Sequence, residues 1–230
     1  MTKLYRFMSL KRFKELVEKK ELVLVKPSMW EDPYESYIYK ALQDDIGRSK
    51  IKDLNFARLG KETYDDEFIQ LFGDNYYGQC WTETNDSDAM WRIYSYENTT
   101  IRVEVMLEDL KELSNHGPKV IDGKVSYVSD MSLEKEVEKV FFKDHVNALN
   151  VYLTKRKEFE HENEHRIMIF NHLGSSSNIL PLAISNVETF IKSVMLHPQA
   201  ADELNEEMIK YCNKMNLNYI GKSKLYEVSF

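Results

Sequence analysis

Short β-prone segments, scattered between helical ones, constrain the fold of this chain more than any other feature. Alternating or β-branched apolar runs occur at 3–8, 21–26, 99–106 and 164–170, and helical patterns separate only some of them. A doubly wound parallel sheet requires strict alternation of strands and helices, which this sequence lacks. The sequence therefore predicts an α+β fold with a mixed or mainly antiparallel sheet of roughly seven or eight strands, flanked by helices.

Capping residues and turn residues place the other predicted elements. Ser9 is expected to cap a helix on which the apolar Leu10, Phe13, Leu16 and Val17 share one face, and Ser87 or Asp86 to cap a helix at 87–96. The prolines of "PSMWEDPYES" predict an ordered turn rather than a helix or strand. Residues 44–62 are expected to form a polar, mobile excursion. Further strands are predicted at 76–84, 124–129, 178–184, 190–196 and "LYEVSF" at the C-terminus, and further helices at 35–43, 64–72, 107–114, 132–153 and 199–215.

Length and charge narrow the class of protein. A chain of 230 residues suits one domain, 1–230, in which 35–75 could form a helical lobe or lid. Its net charge of −7 disfavours broad electrostatic capture of nucleic acid, although a local basic groove could still bind one. Cys80 and Cys212 form no metal-binding or disulfide pattern, and no apolar run reaches the roughly 20 residues of a membrane span. These features predict a cytoplasmic protein with no membrane partner.

The string "HENEH" at 161–165 has the H-E-x-x-H spacing of helical zinc sites. A charged run precedes it and the β-prone "RIMIF" follows it, so a buried zinc helix is disfavoured and no metal is predicted. A solvated helix end whose histidines have no role is the simple alternative. In a strand, however, Glu160, Glu162, Glu164 and Arg166 would share one face, and clustered carboxylates of this kind are typical of functional sites.

Four separated stretches resemble an uncharacterised family of bacterial and phage proteins that is often met near defence genes. They are "LYRF" (4–7), "KPSMWEDPYE" (26–35), "CWTETNDSDAMWRIYS" (80–95) and "KRKEFEHENEHR" (155–166). In the last stretch Lys155, Glu162, Glu164 and Arg166 match the family pattern, whereas His161 and His165 stand at positions where aromatic residues are usual. The resemblance thus singles out the glutamates and the arginine rather than the histidines.

The order of three motifs also resembles the arginine-serine-glutamate class of ADP-ribosyltransferases, whose sheet is split. Tyr5-Arg6 fits the first strand of that class, Trp81 to Thr84 fits the second imperfectly, and Glu162-x-Glu164 fits the third. Trp81 and Glu83 depart from the pattern because they flank Thr82 where small serines are expected. The resemblance implies NAD as a substrate.

The resemblance also implies roles for individual residues. Glu164 would stabilise the ribosyl cation, and Glu162 would orient or activate the nucleophile. Arg6 would hold the pyrophosphate, with Tyr5, Trp81, Thr82 and Trp91 as further cofactor-binding candidates. Trp30, Asp32, Ser87 and Arg166 are candidates for substrate contact or support of the site. Structural alternatives are core packing for the tryptophans, an Arg6–Asp32 ion pair, a turn at Asp32 and a helix cap at Ser87.

Two classes of function follow from these motifs, and a third is disfavoured. The first is an NAD-dependent ADP-ribosyltransferase-like enzyme, a toxin or antiphage-defence effector that modifies a protein or nucleic acid and has an antitoxin or defence partner. The alternative is a non-enzymatic sensor or interaction module that uses "MWEDPYE" and the tryptophans for recognition. Metal-assisted hydrolysis by Glu162, Glu164 and Asp32 would need a metal-ligand spacing that the sequence does not offer.

Overall fold

The computed structural model describes residues 2–35, 40–41, 44–59, 75–95, 97–113, 120–129, 149–171 and 177–228. The strands are β1 Lys3–Met8, β2 Glu21–Val25, β3 Tyr76–Thr82, β4 Ile101–Met106, β5 Val120–Lys124, β6 Ser126–Val128, β7 Thr154–Arg156, β8 Glu164–Phe170, β9 Ile179–Ala183, β10 Ser193–Leu196 and β11 Tyr219–Lys222. The helices are α1 Leu10–Lys19, α2 Asp45–Leu59, α3 Asp88–Ile93, α4 Leu107–Glu112, α5 Leu149–Tyr152, α6 Val187–Phe190 and α7 Asp202–Lys214, with 3₁₀ helices at Pro27–Met29 and Lys157–Glu162.

Nine of the described strands form one sheet, and β6 and β7 form a small second one. Pairing within the large sheet is antiparallel except between β10 and β11, which are parallel. The predicted mixed α+β fold with a mainly antiparallel sheet flanked by helices is therefore confirmed. Among the described helices none could cross a membrane, because none combines the necessary length with an apolar sequence.

The sheet is split between β1 and β3. One edge of β3 pairs with β8 along its whole length, from Tyr76↔Phe170 to Thr82↔Glu164. The other edge meets β1 through the single pair Tyr5↔Thr82 and β2 through the single pair Val25↔Gly78. Beyond Tyr5↔Thr82 the two strands diverge and leave a gap in the sheet.

The main core lies on the sheet face that carries α1 and α7. Helix α1 forms as predicted, because Ser9 accepts a hydrogen bond from the Arg12 amide at 3.3 Å and Phe13, Leu16 and Val17 are buried. Phe13 packs edge-on against Tyr211 of α7, with ring centroids 6.0 Å apart. The docking of α1 fixes the end of β1 beside the gap.

Four sequence predictions need correction. Within the segment 44–62, which was predicted to be irregular, residues Asp45–Leu59 form helix α2 and bury Ile51, and 60–62 lie outside the described residues. Gly47 is required there because a side chain would collide with the Ala41 carbonyl. Ser87 precedes α3 but its hydroxyl makes no cap hydrogen bond. Residues 187–190 form helix α6, so the strand predicted at 190–196 begins only at 193. Residues 225–228 are not a strand, because β11 already occupies the edge of β10.

Other predicted segments fall outside the described residues. These are the helix at 64–72, most of the helices at 35–43 and 132–153, and therefore most of the proposed lobe at 35–75.

Asn163 makes the sharp turn between the second 3₁₀ helix and β8. Its φ of 43° lies in the left-handed region, which asparagine tolerates better than most residues. The Glu83 amide donates to its carbonyl at 3.2 Å, so the turn also contacts the end of β3. This one residue sets the positions of Glu162 and Glu164 relative to each other.

We expect Asn163→Val to lower the free energy of unfolding by about 1–2 kcal/mol, because a β-branched side chain is strained in the left-handed region. Asn163→Gly should change it by less than about 0.5 kcal/mol, since glycine adopts that region freely. Urea denaturation of both variants measures the difference. Equal losses for valine and glycine would contradict the role assigned to the backbone conformation.

Candidate active site

A cleft of about 280 Å³ lies in the gap between β1 and β3. It is lined by the last residues of β1 and the start of α1, by the end of β3, by α3 and by the carboxylates that precede and open β8. The lining residues are Tyr5, Arg6, Phe7, Met8, Ser9, Arg12, Cys80, Trp81, Thr82, Met90, Ile93, Tyr94, Glu162 and Glu164.

The β1 side of the cleft is cationic. Arg6 is partly exposed, and its guanidinium has neither a hydrogen bond nor an ion pair with any residue in the described part of the chain. Burial lowers the pKa of Arg6 to about 10, and the positive charge of Arg12 acts in the same direction. Arg6 therefore remains charged at neutral pH and is available to an anion.

The β8 side of the cleft is acidic. Glu162 ends the 3₁₀ helix and Glu164 opens β8 directly beside Thr82, and both side chains are buried. Lys155 donates to Glu162 Oε2 at 2.8 Å and to Glu164 Oε1 at 3.3 Å. The Glu164 amide donates to the Tyr127 hydroxyl oxygen at 2.7 Å, which fixes the start of the strand.

A buried network of charges supports the two carboxylates. Arg166, which is fully buried, donates to Glu164 Oε2 from Nε at 2.9 Å and from Nη2 at 2.6 Å. Its Nη2 also binds Glu35, and its Nη1 donates to the Tyr152 carbonyl at 2.7 Å. Lys155 lies 3.5 Å from Glu35 Oε1. Three carboxylates thus share two cations away from water.

Because three carboxylates share two cations, Glu162 and Glu164 have different pKa values. Burial and the negative charge of Glu164 raise the pKa of Glu162 to about 7. Burial also opposes ionisation of Glu164, but attraction to Arg166 and Lys155 outweighs it and lowers the pKa of Glu164. At neutral pH the site therefore holds one fixed carboxylate and one carboxyl group that can exchange a proton.

The structure brings six of the sequence-predicted site residues to this cleft. They are Tyr5, Arg6, Trp81, Thr82, Glu162 and Glu164. The Tyr5 ring lies under the Arg102 guanidinium at 4.8 Å. The Thr82 hydroxyl accepts a hydrogen bond from the Thr84 amide at 2.9 Å, so part of its capacity serves the local turn. The buried Trp81 indole N–H has no partner among the described residues.

The other predicted residues do not line the cleft. Trp91 is fully buried against Phe7, with ring centroids 4.7 Å apart, and its indole donates to Asp86. The Arg166 guanidinium lies over the Trp30 ring, 4.3 Å from its centroid, so Trp30 packs against the charge network. Ser87 stands at the start of α3.

Asp32 pairs with Arg156 at 3.0 Å rather than with Arg6. It also accepts a hydrogen bond from the Tyr34 amide at 3.0 Å, which stabilises its turn. The predicted turn at Asp32 is confirmed, and the Arg6–Asp32 ion pair is wrong.

The sequence did not identify Lys155, which binds both carboxylates, or Glu35, which shares Lys155 and Arg166 with them. Lys155 had a signal, because it matches the motif that contains Glu162 and Glu164, whereas Glu35 is 131 positions from Arg166 and nothing in the sequence pairs them. Cleft residues Tyr94 and Arg12 were also missed. Burial raises the pKa of the Tyr94 phenol, and the charge of Glu162 acts in the same direction.

The two histidines of "HENEH" belong to different elements. His161 is exposed in the 3₁₀ helix, whereas His165 is buried in β8 with Nε2 2.9 Å from Asp122 Oδ2. Its Nδ1 lies 3.5 Å from Glu83 Oε1. Because the left-handed Asn163 separates the 3₁₀ helix from β8, the two histidines do not sit one turn apart on a single α-helix, and the zinc geometry of H-E-x-x-H does not form here.

Comparisons with known proteins give only remote likenesses. No family model and no curated protein matches the chain. The solved structure of Thermus sp. 2.9 DarT in complex with NAD+ aligns over 97% of this chain and 96% of its own, with 9% identity and a TM-score of 0.40. The same DarT in complex with ADP-ribosylated ssDNA covers 95% and 92%, with 8% identity and a TM-score of 0.39.

Thermosipho africanus DarTG in complex with ADP-ribose aligns over 96% of this chain and 50% of its own, with 9% identity and a TM-score of 0.34. Likenesses this remote assign no function, so function must be inferred from the cleft itself.

The raised pKa of Glu162 predicts how stability depends on pH. Between about pH 4.5 and 7 the folded protein retains a proton on Glu162, whose pKa is about 7, whereas the unfolded chain, with a pKa of 4.5, has lost it. Stability relative to Glu162→Gln should therefore fall as the pH rises, by about 3 kcal/mol at about 1.4 kcal/mol per pKa unit. Urea denaturation across this range measures the difference.

Glu160→Gln is the matched control, because Glu160 is exposed in the same 3₁₀ helix. The difference between this variant and the wild type should stay constant with pH. Parallel curves for the wild type and Glu162→Gln would show that Glu162 titrates normally.

Proposed function

We propose that this chain is an NAD-consuming enzyme of the ADP-ribosyltransferase type, and that the cleft between β1 and β3 holds the nicotinamide end of NAD. One observation carries the proposal. The cleft has on one side of β3 an arginine, Arg6, with no partner among the described residues, and on the other side a pair of buried carboxylates. NAD has the matching distribution of charge, with an anionic diphosphate near a cationic nicotinamide ring.

The dimensions of the cleft suit that part of the dinucleotide. Tyr5, Thr82 and Glu164 lie side by side on three adjacent strands, so the backbones that carry Arg6 and Glu164 are about two strand spacings, or about 10 Å, apart. A volume of about 280 Å³ lies just below the range of about 300–1,000 Å³ for small-molecule sites. The cleft therefore suits one end of NAD rather than the whole molecule.

The split in the sheet supplies further polar groups. From Arg6 to Met8 the edge of β1 that faces β3 has no ladder partner on β3. Backbone N–H and C=O groups at such an edge can pair with the carboxamide of nicotinamide, which carries one amide donor group and one carbonyl acceptor. Trp81 also lines the cleft, and its buried indole N–H, which has no partner among the described residues, is a further donor that a ligand could use.

Glu164 is suited to stabilise the transition state. Cleavage breaks the bond between nicotinamide nitrogen and ribose C1′; the electron pair leaves with nicotinamide, and positive charge develops on the ribose. Arg166 and Lys155 keep Glu164 ionised and fixed in place, so its charge needs no reorganisation as the reaction proceeds.

Glu162 is suited to proton transfer. The acceptor attacks C1′ and must lose a proton as the new bond forms. A carboxyl group with a pKa of about 7 can take that proton near neutral pH, because general bases work best when their pKa lies near the working pH. Two neighbouring carboxylates with separated pKa values thus divide the electrostatic and the acid–base roles.

We also propose an acceptor and a biological setting for this enzyme. The acceptor would be a protein or nucleic acid, and the enzyme would act as a toxin or antiphage-defence effector with an antitoxin or defence partner. Its motifs support this setting, because "LYRF", "DPYE" and the Glu-x-Glu-x-Arg run resemble a family met near defence genes.

A non-enzymatic sensor is the second candidate, and one observation favours it. Both oxygens of Glu164 are already bound, one by Lys155 and one by Arg166, as they would be in a purely structural network. Thermal unfolding separates the two functions. Stabilisation by NAD without nicotinamide release would indicate a sensor, whereas release would indicate the enzyme.

Nicotinamide release from NAD tests the enzyme directly. We expect Glu164→Gln to reduce the rate by roughly 100-fold or more, because it removes a preorganised charge from the transition state. Glu160→Gln, exposed in the 3₁₀ helix, should leave the rate unchanged. Binding of ADP-ribose by Glu164→Gln reports that the cleft is still formed.

No release by the wild type, or equal release by the wild type and Glu164→Gln, would reject the proposal.

A further inference from the structure

The first turn of α1 departs from the usual charge preference of helices. The positive end of the helix dipole favours acidic residues, yet α1 has none in its first turn and has Lys11 and Arg12 there instead. Each of these cations weakens the helix slightly, because the positive end of the dipole repels it. Such a local conflict is most often kept at a functional site.

Arg12 points to the function of this turn because it lines the cleft together with Arg6. Within the described ranges neither guanidinium takes part in a hydrogen bond or ion pair. Most arginines elsewhere in the described fold do have partners, as Arg92 does with Asp88 at 2.9 Å and Arg156 with Asp32 at 3.0 Å. The cleft thus contains two cations that no described residue compensates.

The two cations are close enough to oppose each other. After burial, the charge of Arg12 is the other influence that lowers the pKa of Arg6. Two unpaired guanidinium groups beside the positive end of a helix stabilise an anion jointly, and they do so most strongly when it carries two charges. The Arg12 amide already donates to the Ser9 hydroxyl, so an anion in the cleft would bind the two guanidinium groups rather than this amide.

We infer that Arg12 is the second arm of a two-arginine site that binds the diphosphate of the dinucleotide, with Arg6 as the first arm. This inference rests on the proposed function for the identity of the ligand. Arginine suits the role because its planar fork binds two phosphate oxygens at once. The site makes the cleft selective for ligands with a diphosphate over ligands with one phosphate.

Calorimetric titration of ADP-ribose and of nicotinamide mononucleotide into the wild type, Arg12→Gln, Arg12→Lys and Lys11→Gln tests this. Arg12→Gln should weaken ADP-ribose binding by roughly 10- to 100-fold, the loss expected for hydrogen bonds to a charged group. Arg12→Lys should fall between, because lysine keeps the charge without the fork. Binding of nicotinamide mononucleotide, which has one phosphate, should change by less than about threefold.

Lys11→Gln is the control, because Lys11 is the exposed neighbour of Arg12 in the same turn and does not line the cleft. It should bind ADP-ribose as the wild type does. Wild-type affinity in Arg12→Gln, or an equal loss in Lys11→Gln, would overturn the inference.

Inorganic pyrophosphate separates this inference from the proposed function. If the wild type binds pyrophosphate through Arg12 but releases no nicotinamide, the anion site stands and the enzyme proposal fails. If the wild type releases nicotinamide and Arg12→Gln has an unchanged KM for NAD, the enzyme proposal stands and the two-arginine site fails.

Discussion

The pairing of Arg166 and Lys155 with three carboxylates is the interaction on which the site depends. Glu35 comes from the turn after β2, Lys155 from β7, and Glu164 and Arg166 from β8, so charges join segments that are far apart in the sequence. Buried ions are tolerated only when they are paired, and removal of one partner leaves another without compensation. The network therefore forms as a unit, and the segments that carry it must meet in one arrangement.

Local patterns were enough to predict the elements that carry the acidic and cationic residues. Strands β1 and β8 have the predicted bounds, and Ser9 caps α1 as expected. These segments combine a regular spacing of apolar residues with a clear capping or turn residue at one end. Where one of these two signals was missing, the element was not predicted: "VIDGK" contains a glycine and was not recognised as β5, and the polar sequence within 44–59 was not recognised as a helix that buries Ile51. The terminal "LYEVSF" looked like a strand, but the edge it would need is occupied by β11.

The order of the motifs was enough to place Arg6, Thr82 and the glutamates around one cleft, because adjacent strands bring them together. It was not enough to identify the supporting residues. The contact of Glu35 with Arg166 depends on the path of the whole chain. Trp91 is the opposite case: its motif predicted a cofactor-binding residue, but its side chain is buried in the protein core. The prediction from strand alternation was right for Glu164 and Arg166 but not for Glu160 and Glu162, because these two lie in the 3₁₀ helix and β8 begins only after the left-handed Asn163.

The single pair Tyr5↔Thr82 has a mechanical consequence. It is the only described rung of the ladder that joins the half-sheet of β1, β4, β10 and β11 to the half-sheet of β3, β8 and β5. Arg6 lies in the first half-sheet and Arg12 in the helix that follows it, whereas Glu164 lies in the second half-sheet and Glu162 in the 3₁₀ helix that leads into it. A ligand that contacts both half-sheets links them across the gap, so the contacts that recognise the ligand also restrict the motion of one half-sheet relative to the other.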